Sequence, residues 1–301
     1  MNKWLVGTVV AGAVAAITLT TIYSNARQTP APAAGAGTVS EVQHRNGSAL
    51  APSLAAAQRL EAEMKIPQGS FKPMGSKAYE IIRGNRIRPP GDALTHARQL
   101  IDRSRSGDAN AAYDVYLTVR ECQTFASQHA DELADSARSV GKEGQFLQRS
   151  ERMLKECESL ILDKDIYEAD WLSTAAAMGS QSAMRTYANS PEDVLGSLDK
   201  AVGDPDKVAE WRRNAQQYLT DLSSQGNVSA LWDLASAYTY GGVVDADPVM
   251  AAAYSRVVNR VNSSFITPDQ VSEIERRLSA KELMRVKSAS DEIYNKCCVK
   301  Q

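Results

Sequence analysis

Three times in this chain a leucine is followed seven residues later by glycine and four residues after that by alanine. The sets are Leu100/Gly107/Ala111, Leu172/Gly179/Ala183 and Leu219/Gly226/Ala230. The physical reading is that leucine packs the end of one helix, glycine takes the left-handed conformation that closes it, and alanine lets the next helix approach closely. The glycines stand 72 and 47 residues apart. Repeats of about 36 residues with one insertion fit that spacing, and so do irregular helices with ordinary C-caps.

From Asp92 onward prolines thin out and apolar residues recur at helical spacing. Asp92 is placed to cap a helix running to about Arg105, closed by Gly107. A second helix carries Ala112, Val115, Tyr116, Val119 and Cys122 on one face. A third carries the stripe Phe146, Leu147, Met153, Leu154, Cys157, Leu160 and Ile161. Further helices are expected near 166–178, 180–188, 192–202, 207–224, 228–239, 248–261, 268–278 and 280–296. No alternating run reads as a strand, and aromatics are only 6% of an alanine-rich chain, so an all-α fold is expected over any sandwich. Upstream, seven of the 11 prolines fall between Arg27 and Gly91. The expected layout is a signal peptide or membrane anchor over 1–26 and a flexible linker over 27–52. Short helices and loops follow over 53–91, then a helical repeat-like domain over 92–301. Within 53–91, one short helix is expected from Ser53 through Met64 and another over Lys77–Arg83.

One segment goes further than periodicity. Leu234 to Tyr238, Gly242-Val243, Asp247, Ala251 and Tyr254 follow an alanine-rich helix, a Gly-Val turn and a second helix. This unit, about 227–257, resembles the Sel-one-like repeat, a relative of the tetratricopeptide repeat. Weaker half-matches are Gly107–Tyr113, Trp171–Gly179 and Trp211 with Ala215. The resemblance implies antiparallel helix pairs stacked into a right-handed superhelix, a TPR-like α-solenoid. It also implies a scaffold or adaptor role, and it brings no catalytic residues.

Leu5 to Ile22 is a run without charge behind Lys3, which reads as a secretory signal or an uncleaved anchor. The chain is therefore expected outside the cytoplasm, periplasmic or anchored in the inner membrane facing the periplasm. Four cysteines agree with an oxidising compartment. Cys122 and Cys157 each lie on the apolar stripe of their helix and are expected to bridge, two buried thiols being the alternative. Cys297 and Cys298 bond to each other, to another chain or to nothing.

Little here points to chemistry. A net charge of -2 gives no footprint for nucleic acid. His44, His96 and His129 lack metal-ligand spacing, and His96 reads as a surface residue. No phosphate loop or nucleophile elbow occurs, so neither cofactor nor metal is expected. Asp163, Asp165, Glu168 and Asp170 cluster where acids complement a helix start. Arg83, Arg86 and Arg88 read as a solvated basic turn or a contact for an anionic surface. Trp232, Tyr238, Tyr240 and Tyr254 are either core or a binding surface, with Tyr240, at the turn, the candidate contact. The expected function is a non-catalytic envelope scaffold binding an unidentified protein or peptide. The alternatives are a glycan-acting enzyme using Asp or Glu, and a self-associating structural protein.

Overall fold

The computed structural model describes residues 71–82, 88–127, 135, 138–139 and 141–299. The N-terminal apolar run, the linker over 27–52, the helix expected from Ser53, and Arg83, Arg86, His44 and His129 lie outside them. Two short strands, β1 (Phe71–Pro73) and β2 (Tyr79–Ile81), precede the helices. α1 (Ala93–Arg105), α2 (Ala109–Ser127) and α3 (Glu143–Leu162) follow. Next come α4 (Lys164–Tyr167), α5 (Trp171–Ala177), α6 (Gln181–Asn189), α7 (Pro191–Leu195) and α8 (Leu198–Gly203). α9 (Pro205–Ser224), α10 (Val228–Tyr240), α11 (Pro248–Val261), α12 (Pro268–Glu275) and α13 (Ala280–Cys298) complete the chain.

The recurrent leucine–glycine–alanine pattern is a structural unit. Gly107, Gly179 and Gly226 have φ of 92°, 94° and 96°. The Gly107 N–H donates to Ser104 O at 2.8 Å and the Asp108 N–H to Arg103 O at 3.2 Å. Gly179 and Ser180 donate to Ala176 O and Ala175 O, and Gly226 and Asn227 to Ser223 O and Leu222 O, each at 3.0 Å. This pair of bonds is the Schellman closure, and it satisfies carbonyls that the helix end leaves orphaned. The next residue opens the following helix at once. Asp108 Oδ1 accepts from the Ala111 N–H at 3.0 Å, and Asn227 Oδ1 from the Ala230 N–H at 3.1 Å. Ser180 instead donates its hydroxyl to Asn110 Oδ1 at 3.0 Å, tying the second junction to the first. Leu100, Leu172, Leu219 and the three alanines are all buried.

These junctions turn α1 into α2, α5 into α6 and α9 into α10. Apart from α3 and the short α4, α7, α8 and α12, the helices pack in chain order, α1 on α2, α2 on α5, α5 on α6, α6 on α9, α9 on α10, α10 on α11 and α11 on α13. Contact mainly with the neighbour before and after is the mark of a solenoid, and the contacts outside that order are the lesser ones, α3 on α1 and α2, α6 on α2 and α13 on α9. The fold is all-α, an α-solenoid of antiparallel pairs. In the 227–261 segment Asp247 Oδ1 accepts from the Val249 and Met250 N–H groups, and Pro248 takes the first helical position, where its missing N–H is not needed. Gly241 and Gly242 carry the positive φ of the turn.

Four expectations need correction. Lys77–Arg83 does not start a helix, because Tyr79–Ile81 pairs antiparallel with Phe71–Pro73, the one sheet among the described residues. The Tyr79 N–H also donates to Gly226 O at 2.8 Å, and its wholly buried ring stacks on Phe71. The helix expected over 166–178 breaks at 168–170, because Asp170 caps a new start by accepting from the Ser173 N–H. The helix over 192–202 breaks at Gly196-Ser197, where glycine has φ 81° and Ser197 caps α8. On α3, Met153, Cys157 and Leu160 point into the core, whereas Leu147, Leu154 and Ile161 face out.

Candidate protein-binding surface

α1, α2 and α3 form a three-helix group with its own core, built from Ala93, Ala97, Leu100, Val115, Val119, Met153 and Leu160. Two devices hold it. Cys122 and Cys157 are bonded across α2 and α3, with Cα atoms 5.6 Å apart and both side chains fully buried. Arg88 is the other. Its side chain is 4% exposed, with Nε 3.2 Å from Glu121 Oε2 and Nη2 2.6 Å from Glu156 Oε2. Its Nη1 donates to Gly91 O, and the Gly91 N–H donates to Glu156 Oε1 at 3.1 Å. Arg88 therefore pins the entering loop to α2 and α3 and is not part of a solvated basic turn. A planar fork that meets two carboxylates and a carbonyl is a task for arginine rather than lysine. Burial works against the Glu156 carboxylate, but the bonds from Arg88 and Gly91 outweigh it and lower its pKa.

The outward face of α2 lies along a groove. On the α1 side, Leu117, Thr118 and Glu121 meet Pro89, His96 and Arg103 around a hollow of about 450 Å³. Toward α3, Leu117, Arg120 and Phe125 meet Phe146, Arg149 and Met153 around one of about 360 Å³. The base is apolar and the rim carries arginine, a composition suited to protein contacts. His96 is half-buried here instead of lying on the open surface, and burial followed by the Arg88 charge lowers its pKa. Arg120 is held by the Tyr116 hydroxyl and Asp193.

Beside the groove, α3 presents a ridge. Leu147 is 57% exposed, Leu154 61%, Ile161 36% and Leu162 76%. The first three recur every seven residues on one side of the helix, and Glu151 and Glu158 stand exposed between them. The apolar positions of α3 form two stripes offset by about one position, one buried and one exposed. The adjacent pairs Met153-Leu154 and Leu160-Ile161 were the available signal, since neighbouring residues on a helix point about 100° apart.

The remaining candidate residues lie elsewhere. Tyr240 is 87% exposed at the end of α10 and lines neither side of the groove. Tyr238 and Tyr254 stack at 5.7 Å between ring centres, and Trp232 packs against the core, so the repeat aromatics divide three to one for packing. Burial raises the Tyr254 hydroxyl to about 12. Cys297 and Cys298 are bonded to each other and buried. Two of the acids after α3 are caps: Asp163 Oδ1 accepts from the Ile166 N–H and Asp170 Oδ1 from the Ser173 N–H, while Asp165 stands in the first turn of α4 and Glu168 at its end. Among the described residues Asp233 is the one buried carboxylate, and Arg185 holds it in a fork at 2.6 and 3.1 Å. Among them, too, no group of His, Cys, Asp and Glu is placed to hold a metal, and no helix is long and apolar enough to cross a membrane.

No family model matches this chain, and no curated protein does. Among solved structures it is similar to c5321, a protective antigen present in uropathogenic Escherichia coli strains that displays an SLR fold. The identity is 16% over 69% of this chain, with a TM-score of 0.28. The chain spans only 57% of that protein. A likeness at that level carries no weight for fold or function, so the solenoid rests on its junctions and packing order.

Proposed function

We propose that this chain is a non-catalytic scaffold or adaptor of the cell envelope that binds a protein or peptide on the surface of its helical repeats. The observation that carries this reading is the apolar ridge of α3 beside the α2 groove. Exposed large apolar side chains cost solubility, and a contiguous set on one element marks an interaction site. The set is held rigid by a disulfide and a buried arginine, which lowers the ordering cost of binding. Two disulfides within the chain suit an exported protein, periplasmic or anchored to the inner membrane. Self-association through Cys297 or Cys298 loses support because they bond to each other. Asp233, the one buried carboxylate among the described residues, is held by Arg185 and is not a free acid.

Site-specific photocrosslinking in living cells tests the proposal. A photoreactive residue at Leu117, Leu154 or Tyr240 is expected to give a discrete adduct, with Lys281 on α13 as an exposed control. Adducts of equal yield at all four positions, or none at any of the first three, defeat the scaffold reading. Fractionation of the same cells checks the compartment.

A further inference from the structure

The α3 ridge is built as half of a helix pair. Leu147, Leu154 and Ile161 span four turns, about 21 Å, the length over which one partner helix lies along another. Their exposure is not a by-product of core filling, because Met153, Cys157 and Leu160 already fill the core on the neighbouring side. The helix behind them is fixed twice, by Cys157 to Cys122 and by Glu156 to Arg88, so the ridge is presented in one place.

Charge decides among occupants. Glu151 and Glu158 sit within the ridge and Lys155 is exposed on its flank between them; neither glutamate has an ion-pair partner among the described residues, and the three charges leave the ridge net negative. A second copy docking antiparallel about Leu154 would match Leu147 with Ile161 but set Glu151 against Glu158, like against like, twice. An anionic lipid surface meets the same repulsion. A basic helix meets neither. We propose that the ridge receives an amphipathic helix of another protein, with apolar residues on a seven-residue spacing and lysine or arginine placed to meet Glu151 and Glu158. The inference rests on the binding role above and specifies the partner's chemistry. Such charge pairs at the flank of an apolar seam set partner choice more than strength.

The test uses the full chain in nanodiscs of zwitterionic lipid and two fluorescent 21-residue designed helices. Both carry leucine at the seam positions, and they differ only in having lysine or glutamate along the flanks. Anisotropy is expected to show the lysine peptide binding roughly tenfold tighter than the glutamate peptide. Leu154→Glu should abolish binding of the lysine peptide. Glu151→Lys with Glu158→Lys should invert the preference, a gain for the glutamate peptide that misfolding cannot produce. Equal binding of both peptides, or of neither, overturns the proposal. So does a chain-to-chain adduct from a photoreactive residue at Leu154, which would give the ridge to a second copy. Tighter lysine-peptide binding after deletion of residues 53–65 would give it to this chain's own segment and overturn it equally. Should the peptides fail while Leu117 or Tyr240 still crosslinks in cells, the scaffold reading stands and only this inference falls.

Discussion

The α1–α3 group and the α10–α11 unit are both helices closed by glycine and packed through small residues, yet they are held differently. In α10–α11 the helices are covered from several sides. Val228 to Leu231 and Asp233 to Ala235 are all buried, as are Ala251, Ala252 and Ala253 against α10 and α13. Close packing does most of the work there, with two arginine forks at the sides, Arg185 to Asp233 of α10 and Arg256 of α11 to Glu275. In the first group, α3 packs on α1 and α2 but leaves its outer face bare. A disulfide and the buried Arg88 supply there what neighbours supply further on. A helix inside the array is stabilised by being covered, whereas a helix kept open for a partner needs cross-links.

The largest effect expected follows from the disulfide. Cys122→Ser with Cys157→Ser should cost about 3–4 kcal/mol for a loop of this length. Hydrogen exchange should rise in α1–α3 while α10–α11 stays protected. Equal loosening of both regions would make them one cooperative unit and erase the contrast.

Glycine substitutions separate the two regions next. An alanine Cβ at Gly107 meets nothing within 4 Å, so Gly107→Ala should lose only the left-handed preference, about 1 kcal/mol. At Gly226 the same Cβ would stand 2.8 Å from both Cys297 O and Lys77 O, backbone atoms of the C-terminal helix and the hairpin. Gly226→Ala should therefore add overpacking to the φ cost and lose about 2–4 kcal/mol. Paired thermal melts check the order, and similar losses at the two sites would deny that the hairpin and α13 close on this junction.

Ala251→Leu should cost about 1–3 kcal/mol, since Ala251 is buried where α11 meets its neighbours. A melting midpoint that stays or rises would mean the helices separate easily and that coverage is not what holds this unit.

Acid should act on the first group before the second. Bonds from Ser159 and Thr95 lower the Asp92 pKa, and the bonds described above lower that of Glu156. Asp108 is lowered too: burial opposes, but the Ala111 N–H and Arg103 prevail. A carboxylate with a lowered folded pKa stabilises above its unfolded value, 3.8 or 4.5 here, and that stabilisation is lost as pH falls through the folded value. His96, held neutral, weakens the fold earlier, as pH drops below its ordinary 6.5. Hydrogen exchange pulsed after incubation at descending pH should show α1–α3 opening first. Opening of α10–α11 at the same pH would contradict the assignment.

What the sequence alone determined is what ten or so adjacent residues can encode. The Schellman glycines, the caps at Asp92 and Asp247, and the helical spacing that placed Cys122 and Cys157 inward all depend on bonds and faces within one or two turns. The hairpin was not legible, because Tyr79 is a strand residue only in the company of Phe71, Gly226 and Asn227, the last two far along the chain. Nor was the role of Arg88, whose two carboxylates come from different helices. On α3, periodicity marked apolar positions but not which of two adjacent stripes is covered. Coverage is a property of the neighbouring helices, and only the tertiary structure places Met153, Cys157 and Leu160 against α1 and α2 and turns Leu147, Leu154 and Ile161 to the outside.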